Sequence, residues 1–237
     1  MRVKNIFYLW IVIICMVERQ GGGFASTSFS DMAWEKASHL YQSIQKHPFN
    51  VELAKGTLPQ KKFDYYKDQD ALYLPVFAKA LTVLLLKVDE SSSMLKVFEL
   101  VKESLKEIPS QKKSLEEMSP ATFNYTNFLL ATSAYKSREE LAAALLPCFW
   151  IYARLSEGMK KEMTGKHIPL KTHPYLTWIE AYVSSTYQRQ VNHMILITNQ
   201  LASHVSLEQR SKMLEMFLMS FRMELSFWDA AYQIKHW

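Results

Sequence analysis

The chain has 237 residues, 49% of them hydrophobic and 13% aromatic, with a formal charge of +5 from 28 basic and 23 acidic side chains. That length supports one sizeable core, and the apolar content excludes a disordered chain. The mild basic excess is spread out, without the basic stripe and interleaved aromatics that nucleic acid needs, so nucleic acid is excluded as an expected partner.

Arg2 and Lys4 precede an apolar run at residues 6–17, followed by Glu18, Arg19 and glycines at 21–23. The run is shorter than the ~20 residues that span a bilayer and fits the core of a signal peptide. Gly23-Phe24-Ala25 places small residues at both cleavage-determining positions. These features predict removal of residues 1–25, a mature domain at 26–237, export to the periplasm or medium, and no stable membrane anchor. A true start at Met16 or Met32 would instead give a cytoplasmic protein. Cys15 falls in the segment expected to be lost, which leaves Cys148 as a single thiol.

Beyond Ala25 the pattern is helix after helix, with no strand-like alternation. Ser28 or Ser30 caps a first helix with Ala33, Ala37, Leu40 and Ile44 on one face, stopping at His47-Pro48. Gly56 ends a short second helix; Pro59 opens a long third one to Leu86, which Pro75 should kink. Ser91 to Ser93 open a helix expected to turn Met94, Val97, Val101 and Leu105 inward, and Ser119-Pro120 starts another to about Tyr135. Ser137-x-x-Glu140 is a capping box ahead of a helix from Leu141 to about Met163, interrupted by Pro147. Pro174 opens a helix to about Val205, and Ser206-x-x-Gln209 is a second capping box before a last helix to about Tyr232. Short loops, with no linker or repeat, make this a single all-α domain.

Three helices carry one chemically capable residue on an otherwise apolar inward stripe. Asp70 shares a face with Phe63, Tyr66, Tyr73 and Phe77, where a carboxylate would have its pKa moved by burial. Cys148 lies in the stripe Leu141, Leu145, Tyr152 and Leu155, directly after Pro147; such a thiol is either core filler or a nucleophile. Glu224 aligns with Phe217, Ser220, Phe227 and Ala231, beside Trp228, and must be paired or protonated if buried. Arg222 points elsewhere on that helix, so it is not the partner.

Other chemistries are poorly served. Gly56, Gly158 and Gly165 are too far apart for a phosphate loop, and no GxSxG elbow announces a serine triad. The seven histidines include no pair at i,i+3 or i,i+4 and no HExxH, so no metal site is expected. His39 on the first helix could in principle ligate haem, but a lone helical histidine reads more simply as surface or packing.

Five segments in order carry a resemblance: HPFNVELAKGTLP (47–59), FDYYKDQDALYLPVFAKA (63–80), LLPCFWIY (145–152), HPYLTWIEAY (173–182) and ELSFWDAAY (224–232). Over Phe29 to Trp237 the chain resembles thiaminase II, the TenA family, in its cysteine-bearing branch. The resemblance implies a haem-oxygenase-like helical bundle, a homotetramer, no cofactor, and hydrolysis of an aminopyrimidine or thiamine to hydroxymethylpyrimidine for thiamine salvage. It places the nucleophile at Cys148, the catalytic acid at Glu224 and the pyrimidine-binding carboxyl at Asp70, with pocket tyrosines at Tyr73, Tyr125, Tyr152 and Tyr182. Phe149 stands where a tyrosine is common, and Arg222 and Met223 replace aromatics before the Glu, which should reshape that wall. Two other readings use the same bundle. One is a non-catalytic pyrimidine-binding or regulatory protein; the other is a haem oxygenase resting on His39.

Overall fold

The computed structural model describes residues 27–109, 114, 117–165 and 170–237, and every regular element among them is helical. The segment 1–25, with Cys15, lies outside the described residues. The helices are α1 (Phe29–Lys46), α2 (Pro48–Lys55), α3 (Gln60–Lys87), α4 (Ser91–Glu107), α5 (Pro120–Tyr135), α6 (Arg138–Gly165), α7 (Leu176–Val183), α8 (Ser185–Ser203) and α9 (Leu207–Gln233).

Their ends follow local chemistry. Ser28 caps α1 by accepting from the Asp31 N–H. Ser137 and Glu140 satisfy each other's backbone N–H groups at 3.2 Å, a complete capping box for α6. At α9 the box is half made: Ser206 accepts from the Gln209 N–H, but the Gln209 amide reaches across to Ser137 at 2.8 Å.

Two expectations fail. Met94 and Leu105 of α4 face solvent, and the buried face is Ser93, Val97, Leu100, Val101 and Ser104. Two small serines let α4 approach its neighbours closely, so the inward stripe is rotated from the bulkier residues. The stretch from Pro174 to Val205 is also not one helix. It breaks at Ser184, whose extended backbone (φ −62°, ψ 149°) ends α7 and whose hydroxyl caps α8 through the Tyr187 N–H.

α6 is the central element. Residues 141–147 are all buried, and the helix lies against α9 and α8 with α7 beside it. α1 covers α9, and α3 packs on α4 and α5. α3 is long and apolar enough to cross a membrane by length and composition, yet it buries Phe63, Tyr66, Tyr73, Phe77, Leu81 and Leu84 against the bundle. It is a core helix.

Two polar locks set the site's geometry. The buried Gln69 accepts from the Ser119 N–H (2.8 Å) and the Thr122 hydroxyl (2.7 Å) and donates to the Glu117 carbonyl (2.8 Å). Its amide fixes the start of α5 against α3, which brings the Tyr73 and Tyr125 rings to 4.8 Å. Gly56, at φ +72°, sits so near His173 and Pro174 that a Cβ would lie 3.2 Å from each. The close approach lets His173 Nε2 meet the Ala54 carbonyl at 3.2 Å and anchors the entry to α7.

Candidate active site

The inward stripes of α3, α6 and α9 converge on one cavity with about 480 Å³ of empty space. Asp70 and Tyr73 come from α3, Tyr125 from α5, Cys148 and Tyr152 from α6, Tyr182 from α7 and Glu224 from α9. All seven residues singled out in the sequence therefore line the same space. Phe77, Phe149 and Phe227 complete apolar walls suited to a flat ring.

Helix α6 presents the thiol with its backbone pinned on both sides. Pro147 has no N–H, which interrupts the ladder one residue before Cys148. The buried Ser220 hydroxyl of α9 donates to the Ala144 carbonyl at 2.6 Å, and the Tyr187 hydroxyl donates to the Cys148 carbonyl at 3.4 Å. Cys148 is only partly exposed, and that exposure faces the cavity.

The protonation states are set mainly by desolvation. Glu224 is 1% exposed, and burial pushes its carboxyl up to about 8 against the opposing pull of the Tyr125 and Tyr152 hydroxyls. The Tyr125 hydroxyl donates to Glu224 Oε1 at 3.0 Å. Burial, with the nearby charge of Glu107, pushes Asp70 up to about 7. Burial and the charge of Glu224 push the Cys148 thiol well above its ordinary value, with the nearby Tyr73 hydroxyl opposing. The resting site at neutral pH thus holds a thiol, a protonated Glu224 and an Asp70 near its midpoint. Thiolate formation needs a base, and Glu224 is the carboxyl whose charge Cys148 feels most.

The buried Tyr73 and Tyr66 hydroxyls close no hydrogen bond of good geometry, although Tyr73 lies near the Cys148 thiol and the Tyr125 hydroxyl, and Tyr66 near the Tyr152 and Tyr182 hydroxyls. A buried orphan hydroxyl costs ~1–3 kcal/mol, and Tyr73 lines the cavity, so a polar ligand atom there would relieve it. Tyr66 stacks on Trp228 (5.1 Å, 4° between planes), and Tyr152 packs against Tyr182 at 5.1 Å.

Arg222 is exposed, and neither it nor Met223 lines the cavity, so that part of the wall is left to Glu224 and Phe227. His39 is exposed on α1 and does not line this cavity, so the site gives the haem reading no support. Among the described residues no group of three His, Cys, Asp or Glu could hold a metal ion. Sequence reasoning missed Tyr187 and Glu107, which also line the site. Tyr187 is the N3 residue of the unrecognised Ser184 cap. Glu107 is an acid in the last turn of α4, where the helix dipole disfavours one, and that oddity was its available signal.

Residues 34–234 match the model of the TENA/THI-4/PQQC family. The chain is 30% identical over 225 residues to an aminopyrimidine aminohydrolase of Halalkalibacterium halodurans, covering 89% of this chain and 98% of that relative. It is 30% identical over 223 residues to the aminopyrimidine aminohydrolase of Bacillus subtilis, covering 88% and 92% respectively. In three dimensions it is similar to a TenA homologue from P. horikoshii OT3, with a TM-score of 0.72 at 26% identity, covering 87% of this chain and 99% of that one.

Proposed function

The chain belongs to the TENA/THI-4/PQQC family, and on that premise we propose that it is a cysteine-dependent aminopyrimidine aminohydrolase of thiamine salvage. Its substrate is 4-amino-5-aminomethyl-2-methylpyrimidine, or thiamine, and its product hydroxymethylpyrimidine. The observation that carries this reading is the convergence of Asp70, Cys148 and Glu224 on one aromatic-walled cavity. The named activity of the relatives from H. halodurans and B. subtilis supports it.

The pyrimidine stacks among Tyr73, Tyr125 and Phe227, and Asp70 shares a proton with a ring nitrogen, making the ring more electrophilic. Ionised Glu224 takes the Cys148 proton, and the thiolate adds to the ring, forming a C–S bond. The electron pair pushed into the ring expels the group on the exocyclic methylene, and Glu224 returns its proton to that departing amine. Water then adds to the methylene and gives its proton to Glu224; the C–S bond breaks to release the alcohol and the Cys148 thiolate, which takes that proton back from Glu224. Glu224 acts twice as base and twice as acid and ends as the carboxylate it began as, a role suited to its value near 8.

The test is turnover: purified protein with the aminomethylpyrimidine and, separately, with thiamine, quantifying hydroxymethylpyrimidine. Binding of both without product would favour the non-catalytic alternative, for which the orphan Tyr73 hydroxyl serves equally well. Two further parts of this reading concern the whole protein. The chain is exported after cleavage near Ser26, which N-terminal sequencing of the native protein checks; a mature chain keeping residues 1–25 in the cytosol would overturn it. It assembles as a homotetramer, in keeping with exposed Leu95, Phe98 and Leu105 along α4, and a monomer mass by light scattering would contradict that.

A further inference from the structure

The cavity's outer wall opens into a wider, solvent-connected vestibule of about 920 Å³, bounded by α3, the end of α4 and the α7–α8 junction. Asp70, Leu74, Glu107, Tyr182 and Tyr187 line both spaces, so a ligand in the inner cavity can extend outward past them.

The vestibule is rich in acceptors that nothing among the described residues serves. Gln190, 7% exposed, lines it and buries its Oε1 without a donor. Glu107 and Asp70 meet no cation among the described residues, whereas Glu103 is held by Lys106 at 2.7 Å and by Lys102 at 3.9 Å. The two lysines on the rim are committed elsewhere, Lys106 to Glu103 and Lys67 to Asp64 at 2.9 Å. Aromatic rings stand beside these acceptors: Trp178 and Tyr182 are 4.8 Å apart at 65°, and Tyr187 meets Tyr182 edge-on at 4.8 Å. Carboxylates, an unserved amide carbonyl and aromatic faces together form surroundings suited to an organic cation.

We propose that this vestibule is an outer subsite for the positively charged leaving portion of the substrate, with Glu107 and Gln190 as acceptors and Trp178 and Tyr182 as walls. The proposal rests on the pyrimidine function argued above. The cation is either a protonated amine or a quaternary heterocycle, and the subsite reads the charge they share. In the empty site burial and the charge of Glu107 hold Asp70 near 7; a cation beside Glu107 offsets that charge and favours the carboxylates. The alcohol product carries no cation, so hydrolysis removes the vestibule's hold and favours product release over retention.

The test measures binding by calorimetry in a Cys148→Ser background, which arrests turnover, with and without Glu107→Gln and, separately, Gln190→Met. The probes are the aminomethylpyrimidine (an ammonium ion), thiamine (a quaternary thiazolium) and neutral hydroxymethylpyrimidine. Glu107→Gln should weaken the cationic probes about tenfold and the neutral one less than twofold. Loss confined to the aminomethylpyrimidine identifies an ammonium site, and loss confined to thiamine a thiazolium site. Gln190→Met should weaken the aminomethylpyrimidine more than thiamine, whose ring nitrogen has no N–H to donate. Equal loss for all three probes, or no loss for either cation, overturns the proposal while leaving the pyrimidine function standing. Failure of all three probes to bind the parent protein overturns both.

Discussion

The inner cavity and the vestibule share a wall but differ in how they are built. The cavity is assembled from the middles of long helices, where Asp70, Cys148 and Glu224 sit on apolar stripes and the backbone is already satisfied. The vestibule is assembled from helix ends: Glu107 closes α4, and Ser184 separates α7 from α8. Buried mid-helix groups have their protonation set by desolvation, which suits proton transfer. Groups at helix ends remain open to solvent and suit recognition and exit. On the proposed function, the two regions divide the work between reacting and sorting.

The sharpest break in that comparison is at the thiol. Cys148→Ser should lower turnover by about a thousandfold or more, because the weaker nucleophile keeps the shape but cannot add to the ring. Thermal stability should hold within a degree or two, since the substitution preserves volume at a partly exposed position. The same change should leave binding of neutral product intact.

Glu224→Gln should lower kcat by about 10²–10⁴-fold with product binding retained, as removal of a general acid–base requires. It also carries a stability signature. The Glu224 carboxyl rises from an ordinary 4.5 unfolded to about 8 folded. Below about 4.5 both states are protonated and the native state bears no penalty. Between those values the folded protein holds a proton that the unfolded chain has lost, so stability falls as pH rises and the loss is complete above about 8. Glutamine does not titrate, so the variant should match the wild type near pH 5 and exceed it by a few kcal/mol near pH 9. A stability difference that does not change with pH in thermal melts would contradict the burial of an ionisable Glu224.

Asp70 belongs to both regions, and Asp70→Asn should therefore have a mixed, smaller effect. Product affinity by calorimetry should fall about tenfold, with a further loss in kcat from weaker ring activation. Unchanged affinity would assign Asp70 to the vestibule alone.

The same division explains what could be read from the sequence. Periodicity placed α3, α6 and α9 and their inward stripes because long buried helices repeat their faces over several turns. That brought all seven chosen residues into one cavity, although Tyr125 and Tyr182 rested on family resemblance rather than on a stripe. The misreadings fall on the vestibule's elements. On α4 the bulky Met94 and Leu105 suggested a face that Ser93 and Ser104 actually bury, so Glu107 was not placed at the site. Across 174–205 no proline or glycine marks the break, and the single cap at Ser184 was too weak a signal to set Tyr187 and Gln190 against α7. Gln69 was likewise silent, because a buried amide joining two helices has no local pattern.

The proposed hydrolysis of an aminopyrimidine stands or falls on a covalent step at Cys148. It is measured as release of hydroxymethylpyrimidine and ammonia from 4-amino-5-aminomethyl-2-methylpyrimidine by the purified wild-type protein and by its Cys148→Ser variant, side by side. The expected result is equimolar products from the wild type and, from a folded variant that still binds the pyrimidine, almost none. Comparable release from both proteins would contradict it.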